Sequence, residues 1–415
     1  MDSQITETEI ILHNQVFQMS KDLVEVVLEV YYEVLQELGA GAYSSVLRAH
    51  NRATDQTMAL KLLKKSRTSL SGFLVEYCTA FLLSTHLSII GCYGIAFQTP
   101  EHYVFAQELS PVGDLFSLIV DQVGIPEEKV KRCALQISSA LDFMHKKGFV
   151  HRDFKPENVL LMDRECHCIK VTDFGFTRLK GTAISARSRT ISYMSPELYQ
   201  PGIDFLEAEP SLDVWAFGVL LFCVLTGNLP WETAARTYIN YSAFVDWVST
   251  GVGKVPFCWK RFTTEALKMF SKLLAYNPTQ RSRAAEVMHF IDLPLTVDLS
   301  ADCIEEINST EEEYSTEPSA SDSMSSCSDG SQTESSSPSS KSPTNCSHSE
   351  SISSKSISLS FLMASLSGGS YSSSEEASVD GFEMMTPVLW DVNATGQKFI
   401  TDGSSLYIGA EAEVS

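Results

Sequence analysis

The sequence predicts an α+β protein of two lobes, a small antiparallel-sheet lobe followed by a larger helical one, with a disordered tail behind them. Three observations carry this expectation. Strand-like alternation around a glycine turn fills the early chain, helix-like periodicity dominates after residue 125, and the composition changes abruptly after residue 293.

Taken in order, residues 1–31 form a lead-in with apolar positions at Leu23, Val26, Val27 and Val30 in helix-like spacing. Residues 33–38 then alternate as a strand, turn on Gly39-Ala40-Gly41, and resume as a strand at Val46. A third strand covers Met58 to Leu63, and a helix runs through Phe73, Leu74, Val75 and Glu76. Pro126 suits the first helical position, and Glu127 and Glu128 behind it suit the positive end of a helix dipole. Val130, Cys133, Ile137, Leu141 and Met144 keep one apolar face, and Gly148 supplies the stop. Residues 211–227 are apolar almost all round, so that helix must be enclosed by protein.

Of the 415 residues 44% are hydrophobic, ample for a core, while the formal net charge is -21. Residues 301–415 carry -16 of that charge and 33 serines, so they cannot bury enough apolar surface to offset their ordering entropy. The domain plan is therefore a lead-in at 1–31, a folded domain at 32–293 and a Ser-rich acidic tail at 294–415. An acidic chain is no general nucleic-acid binder, and the apolar run at 214–226 is too short to span a bilayer. Ten cysteines without a C-x-x-C pair predict a reducing compartment, and Cys166-His167-Cys168 lacks the second pair that a zinc site needs. MDSQITETEI has no basic or apolar leader region, so a cytoplasmic location is expected, with nuclear access left open.

The chemistry concentrates in ordered motifs. Gly39-x-Gly41-x-x-Ser44-x-Val46 sits between two strands rather than opening a helix, which excludes a dinucleotide fingerprint and suits a hairpin folded over phosphates. Lys61 follows on the next strand, with Glu76 on the following helix as its natural partner. Then come His151-Arg152-Asp153-Phe154-Lys155-Pro156-Glu157-Asn158, Asp173-Phe174-Gly175 and Ser195-Pro196-Glu197. This ordered set over about residues 32–293 resembles the eukaryotic protein kinases. Lys155 and Thr190 are similar to the serine/threonine branch. Tyr103-Val104-Phe105-Ala106-Gln107-Glu108, Gly113-Asp114-Leu115-Phe116 and Val130-Lys131-Arg132-Cys133 resemble the Src-homology-3-domain-binding kinases, the SBK family.

The resemblance implies the two-lobed protein kinase fold, ATP and Mg2+ as cofactors, and transfer of the γ-phosphate to Ser/Thr hydroxyls of protein substrates in intracellular signalling. It implies that Asp153, Lys155, Asn158 and Asp173 are catalytic, with Asn158 and Asp173 holding metal. It assigns the nucleotide to Leu38, Gly39, Ala40, Gly41, Ala42, Tyr43, Ser44, Ser45, Val46, Lys61, Glu76, Glu108, Leu109 and Asp114, with Gln107 at the back of the pocket. Asp213, Trp215, Gly218 and Arg281 match structural positions. Ser44 stands where a third loop glycine is usual, a cost of about 1 kcal/mol if φ there is positive. Thr177, Thr182, Ser185, Ser188 and Thr190 are hydroxyl candidates for an activating phosphate paired with Arg152. The family name implies a P-x-x-P ligand, but residues 301–415 hold only Pro318, Pro338, Pro343 and Pro387 without that motif, which counts against a Src-homology-3 partner. Short apolar islands at 357–366 and 387–390 are candidate tail-binding motifs. The competing readings are a pseudokinase scaffold, which the joint presence of Lys61, Asp153, Asn158 and Asp173 disfavours, and an interaction protein acting through its tail.

Overall fold

The structure is a computed structural model that describes residues 6–185, 191–200, 202, 205–250 and 254–297, together with the strands at 390–392 and 398–400. The chain opens with α1 (Glu7–Asp22) and the short α2 (Leu28–Tyr31). A five-stranded antiparallel sheet follows, built from β1 (Tyr32–Ala40), β2 (Ser44–Asn51), β3 (Gln56–Lys64), β4 (Cys92–Gln98) and β5 (His102–Gln107) in the order β1-β2-β3-β5-β4. Helix α3 (Leu70–Leu83) connects β3 to β4.

Strand alternation distributes the sheet's two faces. Met58, Leu60 and Leu62 of β3 join Val104 and Ala106 of β5 in one apolar cluster with Tyr32 and Phe97. The odd positions of the same strands point the other way: Leu63 and Phe105 enter the main core with α3, while Lys61 and Gln107 reach the cleft.

The second lobe is helical. β6 (Gly113–Asp114) leads to α4 (Glu127–Lys146), then β7 (Phe149–Val150), β8 (Val159–Leu161), β9 (Ile169–Val171) and β10 (Arg178–Leu179). β11 (Ala183–Ser185) and β12 (Phe205–Glu207) pair beside α5 (Pro210–Thr226), and α6 (Ile239–Thr250) and α7 (Thr264–Leu273) complete the core. Pro126 is the N-cap of α4, one residue before its expected place. Every α5 residue from Leu212 to Thr226 is buried, as its apolar circumference requires.

Gly227 ends α5 at φ 74°, where an added methyl would lie 2.3 Å from the Val120 carbonyl oxygen. Three expectations need correction. Leu23 to Val27 are extended rather than helical, because Val26 N–H donates to the Gln98 carbonyl and Gln98 N–H to Val24, both at 2.9 Å. The folded domain continues to Val297, since Leu295 is buried and Thr263 N–H donates to its carbonyl. Ser44 has no positive φ, so the strain anticipated there does not arise. The disorder expected over 294–415 otherwise concerns residues outside those described, apart from an antiparallel pair, β13 (Trp390–Val392) and β14 (Lys398–Ile400).

The end of the domain is latched by Glu127, whose carboxylate accepts from Leu295 N–H at 3.0 Å and from Thr296 N–H and Oγ1 at 2.9 and 2.7 Å. Burial pushes the Glu127 carboxyl up, but those donors and Lys131 outweigh it and hold it at about 2. A depressed carboxyl stabilises the fold above its ordinary value, and that contribution disappears as pH falls through the folded value. Glu127→Gln is expected to lower Tm by roughly 2–4 °C at pH 7, with the deficit shrinking on acidification. A deficit independent of pH in thermal denaturation would refute the latch. Gly227→Ala is expected to cost several-fold more unfolding free energy than Gly148→Ala, which has a similar φ of 78° but nothing within 4 Å of the added methyl. Equal losses in denaturant titrations would contradict this.

Candidate active site

Lys61 stands where β3 meets α3 and the cleft. Its ammonium lies 2.6 Å from Glu76 Oε1 and 2.9 Å from Asp173 Oδ1, joining a strand, a helix and the segment after β9. Burial lowers the Lys61 pKa, yet Asp173 and Glu76 outweigh it and leave the cation more firmly protonated than usual. Lys61 in turn holds the Asp173 carboxyl down at about 2, against the effect of burial. Glu76 goes the other way, because its desolvation exceeds the attraction of Lys61. Gly175 is packed against this triad, and a methyl there would lie 3.0 Å from Glu76 Oε2.

The loop that carries Asp153, Lys155 and Asn158 lies after β7. Lys155 Nζ is 3.0 Å from Asp153 Oδ2, and Asn158 Nδ2 donates to the same oxygen at 3.1 Å and to the Asp153 carbonyl at 2.7 Å. With the Asn158 amide nitrogen so occupied, its oxygen is the atom left to bind a cation. From below, Asp213 of α5 accepts the backbone N–H groups of His151 and Arg152, both at 2.8 Å, and lies 2.8 Å from His145 Nε2. Burial raises the Asp213 carboxyl, but His145, His151 and the Arg152 amide overcome it and keep it depressed. His151 Nε2 lies 3.0 Å from the Thr172 carbonyl, and the His151 ring packs edge-on to Phe154 and Phe174. Phe174 is buried in the main core, which leaves Asp173 on the cleft side.

The cleft contains a cavity of about 730 Å³. Of the residues assigned to the nucleotide, Leu38, Gly39, Ser44, Val46, Lys61, Glu108, Leu109 and Asp114 line it, together with Asn158 and Asp173. Ala40, Gly41, Ala42, Tyr43 and Ser45 do not line it. Glu76 acts on the site through Lys61, and Asp153 and Lys155 sit beside it through Asn158. Two details correct the simple expectation. The Gly41 N–H donates to the Ser44 carbonyl at 2.7 Å, so the turn spends that amide internally. The Glu108 carboxylate is engaged by Gly91 N–H at 3.0 Å and Lys170 at 3.1 Å, which leaves its backbone to serve the cavity.

Several lining residues were not anticipated, including Gln36, Arg48, Ala59, Ile90, Ser110, Leu160 and Thr172. Period-two reasoning locates three of them: Gln36 shares a strand face with Leu38, Arg48 with Val46, and Ala59 with Lys61. The others arrive from elements distant in sequence. Farther down, Arg281 grips Glu197 through two bonds of 2.9 and 3.0 Å and lies over the Trp215 ring, as a structural pair. Arg152 donates to the Phe176 carbonyl at 3.2 Å, and Thr190 lies outside the described residues.

A two-lobed architecture with this constellation defines a class, and the comparisons agree with it. The family model of the protein kinase domain matches residues 32–290. Serine/threonine-protein kinase SBK1 of Mus musculus is 48% identical over 270 residues, which cover 65% of this chain and 65% of that protein. SBK1 of Danio rerio is 49% identical over 258 residues, covering 62% and 67%. Serine/threonine-protein kinase SBK2 of Homo sapiens is 39% identical over 279 residues, covering 66% and 80%. The chain belongs to the SBK family of serine/threonine protein kinases, and the match with its mouse SBK1 relative spans about two thirds of each.

Asp213→Ala leaves two backbone N–H groups and His145 without their acceptor in a buried place. It is expected to lower the unfolding free energy by about 3 kcal/mol, with Asp213→Asn retaining part of the loss. Denaturant titration of both variants checks this, and an Asp213→Ala variant as stable as the parent would show that Asp213 does not bind the loop.

Proposed function

We propose that the chain is an ATP- and Mg2+-dependent protein serine/threonine kinase. The observation that carries this is that Lys61, Asp173 and Asn158 line one cleft, with Lys61 2.9 Å from Asp173 and Asn158 3.1 Å from the Asp153 carboxylate beside it. Phosphoryl transfer requires little covalent help, so positioned charge is what the protein must supply.

The carbonyl of Glu108 and the amides of Leu109 and Ser110 enter no backbone pairing among the described residues, and they present a strip of acceptor and donors to a purine edge. Lys61 supports the inner phosphates. Asp173, held ionised, and the Asn158 oxygen are hard ligands suited to Mg2+. Among the described residues no group of three or more His, Cys, Asp or Glu side chains stands ready to hold a metal alone, which fits an ion whose shell is completed by phosphates. When bound, magnesium ATP supplies the transferable group and neutralises its charge. Asp153 orients the acceptor hydroxyl and takes up its proton, and Lys155 at 3.0 Å offsets charge at the same place.

Arg178 lies close enough to Arg152 to lower its pKa. Burial lowers both guanidinium pKa values, with Arg178 adding to the effect and bringing Arg152 to about 10. Such a pair favours an anion, and this supports activation-segment phosphorylation as the partner of Arg152. None of the seven described cysteines is in a disulfide, which supports a cytoplasmic location, and no helix among the described residues is long and apolar enough to cross a membrane.

Phosphate transfer from labelled ATP to mixed Ser/Thr and Tyr peptides tests the reading. Asp153→Asn is expected to lose about 10²–10⁴-fold in kcat while keeping nucleotide affinity, whereas Asp173→Asn loses affinity for magnesium nucleotide as well. Undiminished transfer by both variants, or phosphotyrosine as the main product, would overturn it.

A further inference from the structure

Helix α3 carries the glutamate that orients Lys61, yet its sequence LSGFLVEYCTAFLL has one charged residue. Residues 73–80 are buried without interruption, which covers more than two full turns on every side. A sheet can cover only one side of a helix. That side is occupied: the Phe73 ring stacks on Tyr103 at 5.0 Å, and the Tyr77 ring meets Phe105 of β5 at 5.7 Å.

The opposite side is covered by α1. Leu12, Val16, Met19 and Leu23 recur at helical spacing, and all four pack into the core cluster that contains Phe73, Leu74, Tyr77 and Cys78. Leu12 is only 2% exposed, as deep as a core residue. Both ends of α1 are secured. At the start, Thr6 and Glu9 form a reciprocal capping box. At the finish, the extended arm pairs with Gln98 at the end of β4, through Val24 and Val26 and through Gln98 Nε2 to the Leu23 carbonyl at 3.4 Å.

We infer that α1 is a built-in brace for α3, with Leu12 as its principal positioning residue, which sets the approach of Glu76 to Lys61. The inference rests on the kinase reading above. Because β4 anchors the arm, the brace and the sheet hold α3 from two sides.

A cycle between the brace and the ion pair is the test, made on the full chain. Leu12→Ala, Glu76→Gln and the double variant are compared in kcat, KM for ATP and thermal midpoint, with Leu12→Met as the conservative replacement. If α1 acts through Glu76, Leu12→Ala lowers kcat/KM about tenfold in the parent and less than twofold in the Glu76→Gln background, while its effect on the midpoint is the same in both. Leu12→Met restores activity. Should Leu12→Ala fail to fold, the milder Val16→Ala and Met19→Ala take its place in the same cycle. Equal activity losses in both backgrounds, or unchanged activity of a folded variant, would overturn the brace. An inactive parent chain would instead defeat the kinase reading.

Discussion

One buried cation between two carboxylates organises the molecule. Taking Lys61 out of water is expensive, and the cost is recovered only if both Glu76 and Asp173 are held at contact distance. Those partners come from a helix of the sheet lobe and from the segment following β9, so satisfying the ammonium also fixes α3 and the strand of chain that carries Asp173. The same contact assigns the charge states of the cleft. Asp173 is favoured in its ionised form and Lys61 in its protonated form.

Local strain sits around this contact. Arg152 and Asp173 both adopt left-handed backbone conformations, at φ 70° and 66°, which cost on the order of 1–2 kcal/mol for residues with a side chain. Surrounding bonds over-determine them. Asp213 takes the Arg152 amide from within the buried run of α5, and Lys61 holds the Asp173 carboxylate while Phe174 is locked in the core. The apolar circumference of α5 therefore has a purpose beyond stability, since it gives the loop after β7 a rigid floor on which one carboxylate can reach two amides.

Alternation made much of the sheet lobe legible before any coordinates. Two faces follow directly from β3, and once Lys61 is placed on the cleft side, Ala59 must be there too. The ordered motifs around Asp153 and Asp173 were similarly plain, because their spacing is a local property of the chain. Other features were hidden by tertiary competition. The residues 23–27 have helix-like spacing, yet the open backbone of Gln98 captures them as an extended arm. Gly41 looks like a donor to phosphate, but a carbonyl three residues on takes its amide first.

Sequence alone determined which side chains this protein brings to its chemistry and the order in which they come, because motif spacing and strand and helix periodicity are local properties of the chain. Tertiary structure alone decided that Glu127 would latch residues 295 and 296, that Gly91 and Lys170 would engage the Glu108 carboxylate, and that α1 would cover α3. Those outcomes depend on which polar or apolar group from a remote segment arrives first at an unsatisfied partner, and packing in three dimensions settles that competition.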